Sequence, residues 1–524
     1  MTAVLAEAPG TPAIDAAAPR RAVLALARVE MVRMLRHPVT VAATLFLAGS
    51  WASAWFAIET TRYPVLQDLD RDSAIGMMML LGGAALVVGN LAVLRAHRDG
   101  TTSLSQVLIL PDHARTLAHL LALFPLAVVG AVLILARMAV LAVCAPAAGH
   151  PNPYELAMGP ATVLLLGALG VLLGRLTRSA VIAPLALLVL LAGLVVPVPL
   201  SNGGKALWWL VPQGEPALEM PTPVSLMARP AAAHLGYLLG LAGLLAAAAV
   251  LRAGARGVRV AVAGVIALAC TVAGGTAQLS PPGRAVAAAR TAVMNHPSQH
   301  EACQELGHVT YCALAGFSRW VPAWNTVVQA VVAQVPATAR SAQLTVRQRI
   351  VILAFDRGTG PEQLLAAWRA DDAAAGTPGA IGIGTRWGDS RVTAYLAAQV
   401  AYRLVTGRQS VEERDGATVC GGAGVLVLWL AGQAGTQVRT GLRLLAEDAR
   451  DERGGVSFDE NERFPRVYVP APELAVAMQA LARPRADVTA RVQQSWATLA
   501  APGTTAVQAA RILGVPAPAT GTAC

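Results

Sequence analysis

The chain has 524 residues, of which 55% are apolar and only 14% charged, and its mean hydropathy is +0.53. Soluble domains carry about 25% charged residues, so this composition excludes an ordinary soluble protein and points to an α-helical polytopic membrane protein. The net charge of +10 is not a nucleic-acid footprint, because the arginines collect at the ends of apolar runs, where membrane topology puts them; no nucleic-acid partner is expected.

Residues 1–20 are rich in Ala and Pro and have no apolar core. They read as a disordered tail, not as a signal peptide. In "RAVLALARVEMVRMLRHP" (21–38), Val23, Leu26, Ala27, Met31, Met34 and Leu35 fall on one side of a helix, with Arg28, Glu30, Arg33 and Arg36 largely off it. Such a helix lies along the membrane surface with its arginines toward anionic headgroups, so membrane lipid is the first expected partner. Pro38 marks the turn into the bilayer.

A bilayer core of about 30 Å needs about 20 apolar residues per helix. The runs near 39–57, 75–94, 115–145, 156–174, 180–198, 230–251 and 258–278 fit that length, which predicts a transmembrane domain over 39–278 with about seven spans. The third run is long enough to tilt or project. "GRLTRS" (174–179) reads as a tight turn between antiparallel neighbours.

Arginine counts set the expected orientation. Arg20, Arg21, Arg28, Arg33 and Arg36 precede the first span; Arg95, Arg98 and Arg115, then Arg175 and Arg178, then Arg252, Arg256 and Arg259 lie on the same side. The alternate loops are acidic ("ETTRYPVLQDLDRD"), free of Lys and Arg ("APAAGHPNP"), or nearly so (199–229, with one of each). The expectation is a multi-pass protein of the cell membrane with a cytoplasmic N-terminus and residues 279–524 outside. Trp208 and Trp209 suit the membrane interface. Asn90 and Arg137 lie within spans, where the readings are interhelical bonding or snorkelling on one side and a transport path on the other.

The stretch "RAHRDGTTSLSQVLILPDHARTLAHL" (95–120) interrupts the apolar pattern. After "RAHRDGT" comes a short helix, "TSLSQVLIL", ended by Pro111, with Asp112 as the expected N-cap of the next span. The sequence of a surface helix, a span, an acidic outer loop, a second span and then Arg98, Asp99, Gly100, Thr101, Leu104, Leu108, Leu110, Pro111 and Arg115 resembles the type-2 ABC exporter permeases over roughly residues 21–278. The resemblance implies an interfacial elbow helix at 21–38, a coupling helix near 99–112 that docks on a separate ABC ATPase subunit, and a second permease copy or homologue. It departs in two respects: relatives commonly carry a Glu at the start of the coupling helix, where this chain has "TSLSQ", and they usually have six spans.

The implied division of labour agrees with one feature of the residues themselves. A P-loop needs Lys on the phosphates, and the sole lysine, Lys205, is followed by Ala in an outer loop. The chain is therefore not a conventional P-loop ATPase, and the resemblance implies a transport subunit and not an enzyme, with no cofactor of its own and with ATP and Mg on the partner.

Residues 279–524 read as a mainly helical α+β domain. Outside the membrane, Cys303 and Cys312 are expected to form a disulfide closing a hairpin or corner. The rival is a metal site built from His296, His300, Glu301, Cys303, Glu305, His308 and Cys312, against which stand Pro297 and the absence of an H-E-x-x-H motif. "WVPAWNTVVQAVVAQV", "GPEQLLAAWRADDAAA", "RVTAYLAAQVAYRLVTG" and "GAGVLVLWLAGQAG" read as helices, the last as a core helix with an eighth crossing near 424–432 as the alternative, and "QRIVILAF" reads as a buried strand. Cys420 and Cys524 are left as an open pair, Cys144 and Cys270 are expected to be buried, and "EDARDERGGVSFDENERFPR" (447–466) reads as a solvated loop. The plan distantly resembles metalloprotease-like domains fused to some bacterial permeases, but the residues such an enzyme needs are absent. A membrane-anchored extracytoplasmic enzyme or an envelope sensor is the alternative to the permease.

Overall fold

The computed structural model of the chain describes residues 18–57, 62–100, 110–144, 146–195, 210–211, 221–227, 229–279, 283–340, 343–352, 361–408, 417–452, 454–459 and 466–518. Its two halves differ in what they hide. The N-terminal half is built from α1 (Ala18–Leu35), α2 (Pro38–Ala57), α3 (Leu66–Arg98), α4 (Asp112–Cys144), α5 (Pro153–Thr177), α6 (Ile182–Val195), α7 (Ala231–Arg252) and α8 (Val258–Leu279). Among the described residues six helices, namely α2, α3, α4, α5, α7 and the one starting at Val258, are long and apolar enough to cross a membrane. They leave large apolar side chains such as Leu45, Phe46, Val132, Leu135, Val265 and Ile266 exposed. Surface of that kind is stable against lipid and not against water, so the chain is a multi-pass helical membrane protein.

Three boundaries differ from the expectation. The acidic stretch before the second span is largely helical, because α3 starts at Leu66: its first turn is held by Leu66 N donating to Ala148 O (3.0 Å) and Gln67 Nε2 donating to Thr222 O (3.1 Å). Within α3, Met77–Gly82 widens into π-helical turns. The third span is two helices, Asp112–Leu121 and Phe124–Cys144, because Pro125 has no N–H for the Leu121 carbonyl. The N-cap of its first part is Pro111, which already has the extended ψ a cap needs, and Asp112 is the first helical residue instead of the expected cap.

Helices α3 and α5 touch backbone to backbone. A Cβ added at Gly170 would overlap the Leu86 carbonyl, and one at Gly89 would lie 2.8 Å from the Gly167 oxygen. Small residues at such crossings let membrane helices gain van der Waals contact that larger ones would prevent. Cys144 and Cys270, expected to be buried, are exposed on the apolar surface, where a small apolar side chain is as well accommodated by lipid as by a core.

The bundle has two distinct ends. At one, Asn90 Nδ2 donates to Ser179 O (3.3 Å) and Arg175 reaches Asp112 O (3.4 Å). At the other, Val65 bridges to Ala148, and this end carries the C-terminal half. Gly149 N donates to Gly316 O (3.0 Å), Trp320 Nε1 to Pro146 O (2.8 Å), Thr385 Oγ1 to Pro221 O (2.6 Å) and Arg290 Nε to Leu226 O (2.6 Å).

The C-terminal half buries its apolar side chains in one core. After α9 (Arg284–Asn295), the hairpin of β1 (Glu301–Leu306) and β2 (Val309–Leu314) pairs Cys303 opposite Cys312, and the two form a disulfide. Helix α10 (Val321–Val332) leads to β3 (Leu344–Gln348), and α11 (Pro361–Ala374) to β4 (Ile381–Ile383), giving a sheet in the order β1-β2-β3-β4 with the last three parallel. Of the expected strand "QRIVILAF" (348–355), only Gln348 lies within β3 among the described residues, although Arg349 N still donates to Ile383 O (2.8 Å). Then follow α12 (Ser390–Thr406), β5 (Ala417–Thr418), α13 (Gly421–Ala431), α14 (Thr436–Glu452), β6 (Val456–Phe458), β7 (Val467–Val469), α15 (Ala471–Leu481), α16 (Arg485–Gln494), α17 (Trp496–Ala500) and α18 (Ala506–Leu513).

Strands β5, β7 and β6 make a second small sheet. Part of the stretch expected to be a solvated loop is thus helix α14 and strand β6, whose Val456 and Phe458 turn inward. Helix α13 is short and buried on all sides, with Val425, Val427, Trp429 and Leu430 all inside, as a core helix is.

Candidate functional site

The candidate site lies at the arginine-rich end, where α1 packs across α3 and the first part of α4. The buried stripe of α1 includes Ala27, Glu30 and Met34, at i, i+3 and i+7. Glu30, which the helical wheel placed largely off the apolar face, is therefore part of the packed face, its side chain only 4% exposed. The reason is its partners: both Glu30 carboxylate oxygens accept from Arg95 NH1 at 2.6 Å, and Oε1 also accepts from Arg33 NH1 at 3.0 Å. A carboxylate can be buried when charge-assisted bonds replace its water. Arg28 and Arg36 are exposed, alongside exposed Leu24, Val29 and Val32, a face suited to a membrane surface.

Beside this ion cluster is a cavity of about 240 Å³. Arg33, Met34 and His37 wall it on the α1 side; Val88, Leu91 and Arg95 wall it from α3; Arg98 and Asp99 complete it. Arg95 and Arg98 are in the last turn of α3, where cations offset the partial negative charge of the helix end. Gly100 adopts φ +66°, a left-handed turn that glycine supplies without strain. Among the described residues Arg98 has no ion-pair partner. The His37 Nδ1 accepts from Val39 N at 3.3 Å, and burial, followed by the Arg95 charge, holds its imidazole below the usual pKa.

Of the predicted coupling residues, Thr101, Leu104 and Leu108 lie outside the described residues. The two flanks are described. On the far side Arg115 Nε donates to Leu110 O at 2.9 Å, Arg115 NH1 lies 3.5 Å from Asp112 Oδ1, and Pro111 caps the helix. Of the predicted elbow and coupling residues, Arg33, Arg98 and Asp99 thus line one cavity and Glu30 is bonded to its Arg33 and Arg95 walls, while Arg28 and Arg36 are exposed. Asn90 is buried on the Ser179 carbonyl. Arg137 donates to Ser73 Oγ at 2.7 Å, with its guanidinium 4.7 Å from the Trp51 ring centre. Asn90 thus bonds the loop between α5 and α6 and Arg137 bonds α3, and neither lines the cavity.

Other buried polar groups were missed by sequence reasoning. Near the far end of the bundle, Arg229 lies 3.4 Å from Glu155, and His234 Nδ1 is 2.6 Å from Gln278 Oε1. In the C-terminal half, Arg347 sits 2.8 Å from Glu301 and 3.4 Å from Asp372, Arg349 NH2 bonds Asp372 at 2.6 Å, and Ser298 Oγ donates to Asp371 at 2.6 Å. Burial pushes the Glu301 carboxyl up to about 8 against the opposing pull of Arg347 and Arg349, and burial likewise raises Asp372. The available signal was the alternation in "TVRQR", which puts two arginines on a strand. The rival metal set does not converge: Cys303 and Cys312 are bonded to each other and Glu301 turns to Arg347. Cys420 is disulfide-bonded, and Cys524 lies outside the described residues.

Chemically, the cavity sets the guanidiniums of Arg33, Arg95 and Arg98 beside an apolar floor of Met34, Val88 and Leu91, an arrangement able to accept an anion. Comparison with protein-family models, with curated proteins and with solved structures finds nothing that matches this chain.

Proposed function

We propose that the chain is the permease subunit of an ATP-driven exporter of the type-2 ABC kind, moving a substrate outward while a separate ATPase subunit binds ATP and Mg. The observation that carries this reading is the anchoring of both flanks of the 101–109 segment. Its leading flank ends α3, whose Arg95 is held by Glu30 of α1; its trailing flank starts α4, which packs on the same α1. A push delivered there would move three helices together, and the break at Ala122–Leu123 would let the first part of α4 pivot without carrying the whole span.

In this reading the arginine-rich end is cytoplasmic and the C-terminal half lies outside the cell membrane, where it caps the exit or receives cargo. Seven crossings follow if α6 makes the fifth. The chain is at the arginine-rich end at Ser179 and at the opposite end by Thr222, where its carbonyl meets Gln67, and α6 is the helix between among the described residues. A second permease copy or a homologue completes the pair of subunits that two ATPases would drive.

The test is purification of the full chain from its native membrane. An ATPase subunit should accompany the wild-type protein and be lost from an Arg98→Ala, Asp99→Ala, Pro111→Ala variant that still inserts and folds. Absence of any ATPase partner, with hydrolytic activity in the purified chain, would favour the membrane-anchored enzyme instead.

A further inference from the structure

We infer that the cavity between α1 and α3 is a binding site for a phosphate group, presented by the headgroup of an anionic phospholipid. Three guanidiniums, Arg33, Arg95 and Arg98, and the Asp99 carboxylate line a cavity of about 240 Å³, and Glu30 is bonded to two of them, Arg33 and Arg95. The positive excess is concentrated on Arg98, which has no ion-pair partner among the described residues. Guanidinium is the side chain whose planar fork matches phosphate oxygens in pairs.

The remaining walls decide the kind of molecule. Met34 and Val88 are buried and Leu91 half-buried, so the charged rim continues into an apolar floor. A headgroup with its acyl root fits such a lining, whereas a fully hydrated ion has no use for the floor. The outward face of α1 carries exposed Leu24, Val29 and Val32 among its arginines, which sets the cavity at the level of the lipid headgroups. Basic pockets between membrane helices at this depth are where anionic headgroups are held. Bound there, the phosphate would join α1 to the last turn of α3 at the point where the 101–109 segment begins.

The experiment uses the full chain without any partner, so its result is independent of the exporter reading. Protein solubilised from phosphatidylcholine vesicles containing a minor share of phosphatidylglycerol is examined by native mass spectrometry. Retention of phosphatidylglycerol over phosphatidylcholine is expected, falling about tenfold in Arg98→Ala and further in the Arg33→Ala, Arg98→Ala double variant, with thermal unfolding checking that each variant folds. Should the double variant fail to fold, Arg98→Gln alone decides. A parallel arm adds inorganic phosphate to protein in phosphatidylcholine alone. Stabilisation there that depends on Arg98, without any lipid preference, keeps the phosphate chemistry but assigns it to a soluble source. Retention unchanged in the variants, or no response to either probe, overturns the inference.

Discussion

At Glu30 one carboxylate serves two guanidiniums, and this makes the residue more consequential than its place in an arginine-rich surface helix suggested. Removing it strands Arg95, only 32% exposed, beside a cavity that already holds excess positive charge. Charge-assisted bonds of this kind are worth about 1.5–3 kcal/mol. Glu30→Ala is expected to destabilise the protein by about 2 kcal/mol, read as a lower melting temperature in detergent, with Glu30→Gln intermediate because it keeps an acceptor oxygen. No loss in Glu30→Ala would mean that solvent already screens the pair.

Glu301 makes the opposite kind of prediction. Its carboxyl titrates at about 8 in the fold against an ordinary 4.5, so between these values the folded chain keeps a proton that the unfolded chain releases. Stability therefore falls as pH rises through that window, with the contribution complete below the unfolded value and lost above the folded one. Asp372, raised by the same burial, adds in the same direction, while the Arg347 contact limits the loss. A thermal unfolding series across pH should show a downward slope that Glu301→Gln makes shallower; an unchanged slope in the variant would remove Glu301 as the cause.

At the scale of elements, the contact between α3 and α5 is set by what is missing from Gly170 and Gly89. "GALGVLLG" carries the spacing of a small-residue crossing, Gly170 and Gly174 being four apart, yet nothing local says that Leu86 is the partner. Gly170→Leu would drive a side chain into the Leu86 carbonyl and is expected to cost roughly 1–3 kcal/mol or more through forced separation of the two helices. The readout is loss of thermal stability and of the folded fraction after detergent extraction, with Gly193→Leu, which has nothing within 4 Å, as the control that should change little.

The same scale shows why sequence boundaries slipped. Hydropathy marks where a helix can enter lipid, but α3 begins earlier because Ala148 and Thr222, far along the chain, supply acceptors to its first turn. The hairpin was more legible: Cys303 and Cys312 flank a turn in short range, and their register follows from the residues between them. The buried cluster of Glu301, Arg347 and Asp372 was not legible, because two of its members join only when β1 and β3 are brought into one sheet through β2.

For the whole molecule, the consequential feature is the segregation of the arginine-rich end from the end that carries the C-terminal half. Applied to intact cells, a non-permeant protease or thiol reagent should reach residues of the C-terminal half, for instance a cysteine placed at exposed Glu305, and should not reach one placed at Arg36 until the membrane is opened. The reverse pattern would invert the orientation and sink the exporter reading as stated.

The sequence by itself determined which stretches seek lipid, which turns carry positive charge, and which two cysteines could close a hairpin, because hydropathy, charge placement and short spacings are local properties. Only the tertiary structure decided that Glu30 belongs inside, that Arg98 opens onto a cavity with Met34 and Val88 behind it, and that two opposed arginine-carboxylate clusters lie in different halves of the chain. Those outcomes depend on groups brought together from distant parts of the chain, 65 positions apart in the case of Glu30 and Arg95. Burial and pairing energies between such groups are set by the environment each creates for the other, and that environment exists only after the chain has folded.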